Sequence, residues 1–250
     1  MVSNRWSHDS VRWIALEAFA IVSSILLAFW IDASWDQWQE RREEQRILGS
    51  LQNELRSNQA HLTERTQFHK DVEHAIRLLL NEAALPASTL SDDKIDALIG
   101  TASWFDTSST FEMSAVDSVV LGGNLSIIDN ESLRQRITGW SRDVAEVVRT
   151  EAQDYDTFSD VWMPFLRDNA YLPQVHNAVD TQPGTGEEDY IPDLPLSPHA
   201  TKHSDLLKDR GFQNVLLHRL WVQGDILNKY KEIEPELSTL IQLLDDELGQ

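Results

Sequence analysis

From Trp13 to Ile31 the chain places 19 consecutive residues with Glu17 as their one ionisable member, and no proline occurs before Pro86. About 17 to 25 apolar residues, rising 1.5 Å each, cross the hydrocarbon core of a bilayer. The run therefore predicts a transmembrane helix, and the missing breaker predicts that the helix continues past the membrane surface. Ala18 to Ile31 is apolar or small on every side, unlike a core helix with one apolar stripe. Trp13 opens the run, and Trp30, Trp35 and Trp38 stand at and beyond its end; indoles suit the headgroup level, so these are the expected membrane anchors. Ile31 and Ala33 could mark a signal-peptide cleavage site, but Asp32 and the bulky Trp35 make that site poor, and an uncleaved anchor is expected. Glu17 lies about 6 Å inside the boundary, where the helix dipole favours an anion and the side chain can reach the interface. It is grouped with the anchors; an ion or proton path is the competing reading.

Beyond the span, Leu48, Leu51, Leu55, Leu62, Val72, Ile76 and Leu79 fall on alternating three- and four-residue steps, with Asn58, Arg65 and His69 in the skipped positions. This is a heptad seam of coiled-coil type with three polar interruptions. A helix from Trp13 to about Asn81 is on the order of 100 Å long, and its stripe needs partner helices. Leu48, Leu51, Leu55, Asn58 and Leu62 are expected to face either a second copy of the chain, with Asn58 fixing register, or other helices of the same chain.

Those other helices are legible in outline. Ser91, Asp92 and Asp93 read as a helix start and Gly100 as its stop. Thr110 to Leu121 reads as a short helix closed by Gly122 and Gly123, and Asp129 to Glu131 open a longer one running to about Asp168, with a kink at Pro164. Leu133, Ile137, Trp140, Val144, Val147 and Val148 mark its stripe. Five of the eight prolines lie between Pro173 and Pro198, so residues 170–203 read as a Pro-rich loop. A last helix is expected from Ser204 to Leu248, bent at Pro235. No period-2 run argues for a sheet. The expected fold is all-α: residues 1–12 a short tail, 13–31 the span, and 32–250 an acidic helical bundle into which the membrane helix continues.

Charge narrows the partners. With 41 Asp and Glu against 21 Lys and Arg, the net charge is −20, which argues against nucleic acid, whose affinity comes from Lys and Arg releasing counterions. The absence of cysteine excludes disulfides, thiolate zinc sites and thiol nucleophiles. Residues 1–31 carry Arg5 and Arg12 against Asp9 and Glu17, so the whole excess falls on the tail. A short basic start before an apolar block is expected to stay inside while the acidic tail crosses to the periplasmic side of a bacterial inner membrane.

The run Ile21–Asp32, followed by Trp35, Asp36, Glu40, Arg41 and Arg42, then Leu48, Leu51, Glu54, Leu55 and Asn58, resembles single-pass bacterial membrane proteins grouped as a domain of unknown function. A second patch, Gly123, Asn124, Leu125, Ile127, Ile128, Asn130, Leu133 and Arg134, is similar to that family's small-residue turn and helix start. The resemblance implies an N-terminal span followed by a helix rich in Trp, Arg and Glu, and it implies no catalytic residue. Family members often carry a glycine in mid-span where this chain has Ser23 and Ser24.

A search for chemistry finds little. His69, Asp71, Glu73 and His74 form the densest ligand cluster, but 69 and 73 share a helix face while His74 turns about 100° from Glu73, so they do not converge on one ion. His199 and His203 are spaced i, i+4 at the edge of the Pro-rich loop, without the acidic residue of a metalloprotease motif. Gly184-Thr-Gly-Glu lacks the Lys of a phosphate loop, and no Gly-x-Ser-x-Gly occurs. No motif requires a cofactor. The aromatic set Trp104, Phe105, Phe111, Trp140, Tyr155, Phe158, Trp162, Phe165 and Trp221 is expected mostly in the core. The expected function is a membrane-anchored interaction or sensory module, partnered by the bilayer and by a protein, as a homo-oligomer or otherwise. The alternatives are a membrane-anchored enzyme or metal-binding bundle, and a small oligomeric pore using Glu17.

Overall fold

A computed structural model describes residues 8–104, 111–179, 194–196 and 202–249. Helix α1 runs unbroken from His8–Ala84, 77 residues, with Gly49 its one glycine and no proline. It ends where Leu85 precedes Pro86, since a residue before proline is driven out of the α region. Lys208 Nζ then donates to the carbonyl of Ala83 at 3.1 Å, satisfying one of the last-turn acceptors. Short helices α2 (Asp92–Ala102) and α3 (Ser114–Val120) follow, then a 3-10 turn at Asn124–Ile127, and α4 (Glu131–Thr157). A π turn at Phe158–Trp162 leads into α5 (Met163–Asn169), and α6 is Leu172–Asn177. A 3-10 turn at His203–Lys208 precedes α7, Arg210–Leu248. Among the described residues there is no strand, and the fold is all-α.

The bundle is built on three long helices. Gln52 on α1 meets Asp245 on α7, Arg65 meets Tyr230, and His69 meets Gln223, so α7 runs antiparallel to α1. Glu44 accepts from the Asp129 N–H beside the start of α4, and Arg65 lies against Glu151, so α4 runs parallel to α1. Two apolar cores result. The first, nearer the N-terminal part of α1, gathers Leu48, Leu51, Leu55 and Leu62 with Ile137, Trp140, Tyr230 and Leu237. The second gathers Val72, Ile76 and Leu79 with Ile95, Ile99, Trp162, Phe212 and Leu216 at the far end.

Local chemistry explains most element ends. Ser91 accepts from the Lys94 N–H, Asn130 from Leu133 and Asp209 from Phe212, three side-chain N-caps. α3, which has no cap of its own, is capped from α1: buried Glu54 accepts from the N–H groups of Ala115 (2.5 Å) and Val116 (3.0 Å) and from the Ser114 hydroxyl. That tertiary cap is why the helix begins at Ser114 rather than at Thr110, a residue outside the described ones. Gly100 is not a stop, since α2 continues to Ala102. A Cβ at Gly100 would lie 2.1 Å from Val179 Cγ2, so its smallness serves the approach of the segment after α6.

Three further expectations are corrected. The irregularity near Pro164 is a π turn just before it, which absorbs the clash between a proline ring and the carbonyl four residues earlier. The Pro-rich stretch is not all loop, because Leu172–Asn177 is helical, with Pro173 near its start where no N–H is needed. The last helix starts at Arg210, after a 3-10 turn at His203–Lys208, rather than at Ser204, and it includes Pro235.

α1 stands clear of the bundle over its N-terminal part. Every described side chain from Trp13 to Arg46 is exposed except Ser23, Glu43 and Glu44, which are half-buried, and burial begins at Ile47. The apolar stretch is long and apolar enough to cross a membrane.

Candidate functional site

The two apolar cores are separated by a buried layer of charged and polar side chains. α1 supplies Arg65 and His69, one turn apart; α4 supplies Glu151 and Asp154; α7 supplies Arg219, Gln223 and Tyr230. All seven are at most 4 % exposed. Two linked sets of hydrogen bonds hold them. In the first, Arg65 Nε donates to the Tyr230 hydroxyl at 3.2 Å and lies 3.4 Å from Glu151 Oε1, and the Tyr230 hydroxyl donates to the same carboxylate. In the second, Arg219 Nη1 (3.1 Å) and Gln223 Nε2 (2.8 Å) both donate to Asp154 Oδ1. Arg219 also reaches back to α2, donating from Nε to the Ala102 carbonyl at 2.5 Å and from Nη2 to the carbonyl of Trp104.

The hydrogen-bond chain fixes the tautomer of His69. Gln223 spends its amide N–H on Asp154, so its oxygen faces His69 Nδ1 at 2.7 Å, and Nδ1 must carry the proton. His69 Nε2 is then an acceptor. Among the described residues it has no donor, and neither have Glu151 Oε2 and Asp154 Oδ2. The layer thus balances two guanidinium groups against two carboxylates and presents three buried acceptors to any donor that enters. Desolvation dominates its electrostatics. Burial pushes the His69 imidazole below its ordinary value, against the opposing effect of the hydrogen bond it donates to Gln223 and of the charge of Asp154. Burial and the Glu151 charge push the Tyr230 phenol far up, so it stays a donor. Burial also lowers Arg219, with Asp154 opposing.

An open groove of about 720 Å³ runs along α1 beside this layer, bordered by Gln59, His61, Thr63, Phe68 and, from α7, Glu234. Arg65 belongs to both groove and layer.

A second buried pair joins the far end. His203 Nδ1 lies 2.5 Å from Asp96 Oδ1, Gln174 donates to Asp96 Oδ2, and His203 Nε2 accepts from the Tyr171 N–H. Both ring nitrogens are engaged, so this histidine pins the chain after the Pro-rich stretch to α2 and α6 and is closed to a metal or a substrate proton.

The expected site residues separate accordingly. His69 is buried, Glu73 pairs with Arg77 at 2.6 Å, and His74 is exposed, so the cluster does not converge. The seam position expected for His69 carries it into the polar layer. His199 lies outside the described residues. No group of three His, Cys, Asp or Glu placed to hold a metal ion occurs among the described residues. Leu48, Leu51, Leu55, Asn58 and Leu62 are buried within the chain, against α3, α4 and α7. Trp13, Glu17, Trp30, Trp35 and Trp38 are all exposed on α1. Of the aromatic set, Phe111, Trp140 and Trp162 are core, Trp221 and Tyr155 are exposed, and Phe105 lies outside the described residues. Val148 is also exposed, since the α4 stripe passes from Val147 to Glu151. Glu151, Asp154 and Arg219 were not expected in the interior. Their signal was register: 140, 144, 147, 151 and 154 keep one heptad, as do 212, 216, 219, 223, 226 and 230.

Compared with known proteins, the chain matches no family model, no curated protein and no solved structure.

Proposed function

We propose that this chain is a membrane-anchored, non-catalytic interaction or sensory module in which an event at the buried polar layer is passed along α1 to the lipid-embedded end. One observation carries the reading: the same unbroken helix bears the exposed apolar stretch and supplies Arg65 and His69 to the layer. A donor ligand that alters the contacts of Glu151 or Asp154 shifts α1 against α4 and α7. With no hinge in α1, the shift travels along the rod. Low dielectric makes such a layer responsive, because a buried charge that loses its partner is strongly penalised. The groove beside Arg65 gives a ligand access. The proposed topology puts the acidic bundle on the periplasmic side of a bacterial inner membrane, supported by Arg5 and Arg12 just before the apolar stretch and the acidic excess after it. Self-association would use surfaces other than the Leu48–Leu79 seam, which α7 and its neighbours occupy.

Brief trypsin treatment of the protein in washed membranes tests this. The protein is expected to stay with the membrane after an alkaline wash, with slow cleavage at Arg41, Arg42 and Arg46. Release by the wash contradicts the anchor, and rapid cleavage at those arginines contradicts the rigid connection.

A further inference from the structure

We propose that Arg41 and Arg42, set beside Trp35 and Trp38, form a binding face for the phosphate of an anionic lipid headgroup in the leaflet from which α1 emerges. The proposal rests on the membrane reading above.

Between the apolar stretch and the bundle, residues 32–46 are a bare helix whose charges are sorted by face. At about 100° per residue, Asp32, Asp36, Glu40, Glu43 and Glu44 fall within an arc of about 120°. Trp35, Trp38, Arg41, Arg42 and Arg46 fall within a separate arc of about 140°. The acidic arc turns toward the bundle, where Glu44 accepts from the Asp129 N–H at 2.7 Å. The aromatic and basic arc turns away from it. There the Trp35 and Trp38 rings lie 5.1 Å apart, and the Arg42 guanidinium sits 4.4 Å over the Trp38 ring. Arg46 is held by Glu43 at 2.6 Å, whereas Arg41 and Arg42, with carboxylates in the adjoining turns, make no ion pair among the described residues. Two cations left out of ion pairs in so acidic a chain, one laid on an exposed indole, suit an external anion. A guanidinium presents phosphate with a fork of donors.

Height sets the two tryptophans nearest the headgroups and leaves the arginines to reach back toward them. Counting from Ile31, Trp35 stands about 6 Å and Trp38 about 10 Å beyond the hydrocarbon, and Arg41 and Arg42 about 15 Å. The headgroup region extends about 5–8 Å past the hydrocarbon. Helical side chains lean toward the N-terminus, and Arg42 leans onto Trp38 one turn below, which brings its charge back toward the phosphates. A tilt of about 20° toward this arc, ordinary in size for membrane helices, would lower it further and lift Asp36 and Glu40. Above the collar, Asp129, Glu131, Asp245, Asp246 and Glu247 crowd the ends of α4 and α7 nearest the membrane, more than a Debye length of about 8 Å from the phosphates. Attraction is confined to the collar while the bundle is held off.

The chain has no cysteine, so Ser34→Cys, which falls within this arc, provides a single labelling site on this face. The full chain, labelled there with NBD, is reconstituted in phosphatidylcholine vesicles containing a small fraction of nitroxide-labelled phosphatidylglycerol or nitroxide-labelled phosphatidylcholine. The expected result is stronger quenching by phosphatidylglycerol, with a local enrichment of about five-fold per arginine, removed by Arg41→Gln with Arg42→Gln and by high salt. Equal quenching by the two lipids, or a preference that survives the double substitution, overturns the headgroup proposal and leaves the anchor standing. Absence of quenching by either lipid overturns both.

Discussion

Asn58 on α1 holds the backbone of Glu112 with both ends of its amide, donating from Nδ2 to the carbonyl and accepting the N–H at Oδ1, each at 2.8 Å. A polar residue in a heptad seam reads equally well as a register pin between chains or within one. Here both hydrogen-bonding ends are used inside the chain. Asn58→Leu should therefore lower stability by about 1–2 kcal/mol, since it removes both hydrogen bonds that a buried side chain makes to the part-buried backbone of Glu112. The unfolding midpoint of the wild type should not depend on protein concentration. A midpoint that rises with concentration in the wild type and no longer does so in Asn58→Leu would show that the seam works between copies.

The polar layer should respond to breakage far more than to paired removal. Arg219→Leu strands Asp154 and frees the carbonyls of Ala102 and Trp104, and is expected to destabilise by about 3–5 kcal/mol. Combined with Asp154→Leu, the loss should fall well short of the sum of the single losses. Additive losses in denaturant unfolding would mean the two side chains do not interact.

His69 sets a pH window. Its folded-state value lies below the ordinary 6.5 because burial disfavours the cation. Folded and unfolded chains are both neutral at this site above about 6.5, so its stability contribution is then complete. As the pH falls through that value the unfolded chain binds a proton that the folded chain resists, and stability is lost down to the lowered folded value. His69→Gln should flatten the stability curve below about pH 6.5 relative to wild type. A difference curve that is flat across this window would contradict the neutral, buried assignment.

Two glycines should behave oppositely. Gly100→Ala meets Val179 at 2.1 Å and is expected to destabilise by about 1–3 kcal/mol. Gly139→Ala, in mid-α4 with nothing within 4 Å of the added carbon, is expected to stabilise by about 0.5–1 kcal/mol. Paired thermal melts distinguish them by sign.

Much of this architecture was legible because α-helical period survives polar interruption. The seam from Leu48 to Leu79 reads through Asn58, Arg65 and His69, and the α7 face reads through Gln223 and Tyr230. The layer's anionic half was missed because Glu151 and Asp154 look like the solvated side of an amphipathic helix, although they keep the register of Trp140, Val144 and Val147. Arg219 was passed over for the same reason. The tertiary cap from Glu54 to α3 and the closure of His203 against Asp96 join residues 60 or more positions apart, and no local pattern announces them.

The continuity of α1 from lipid to bundle is tested most directly by spin labels at Ser34→Cys and Ser57→Cys, one on the bare collar and one beside the bundle, with the distance measured in lipid vesicles. An unbroken helix predicts a single narrow distribution near 35 Å, from 23 residues at 1.5 Å each. A broad or markedly shorter distribution would mean that α1 bends or frays between the membrane and the bundle, and that the polar layer cannot signal along it.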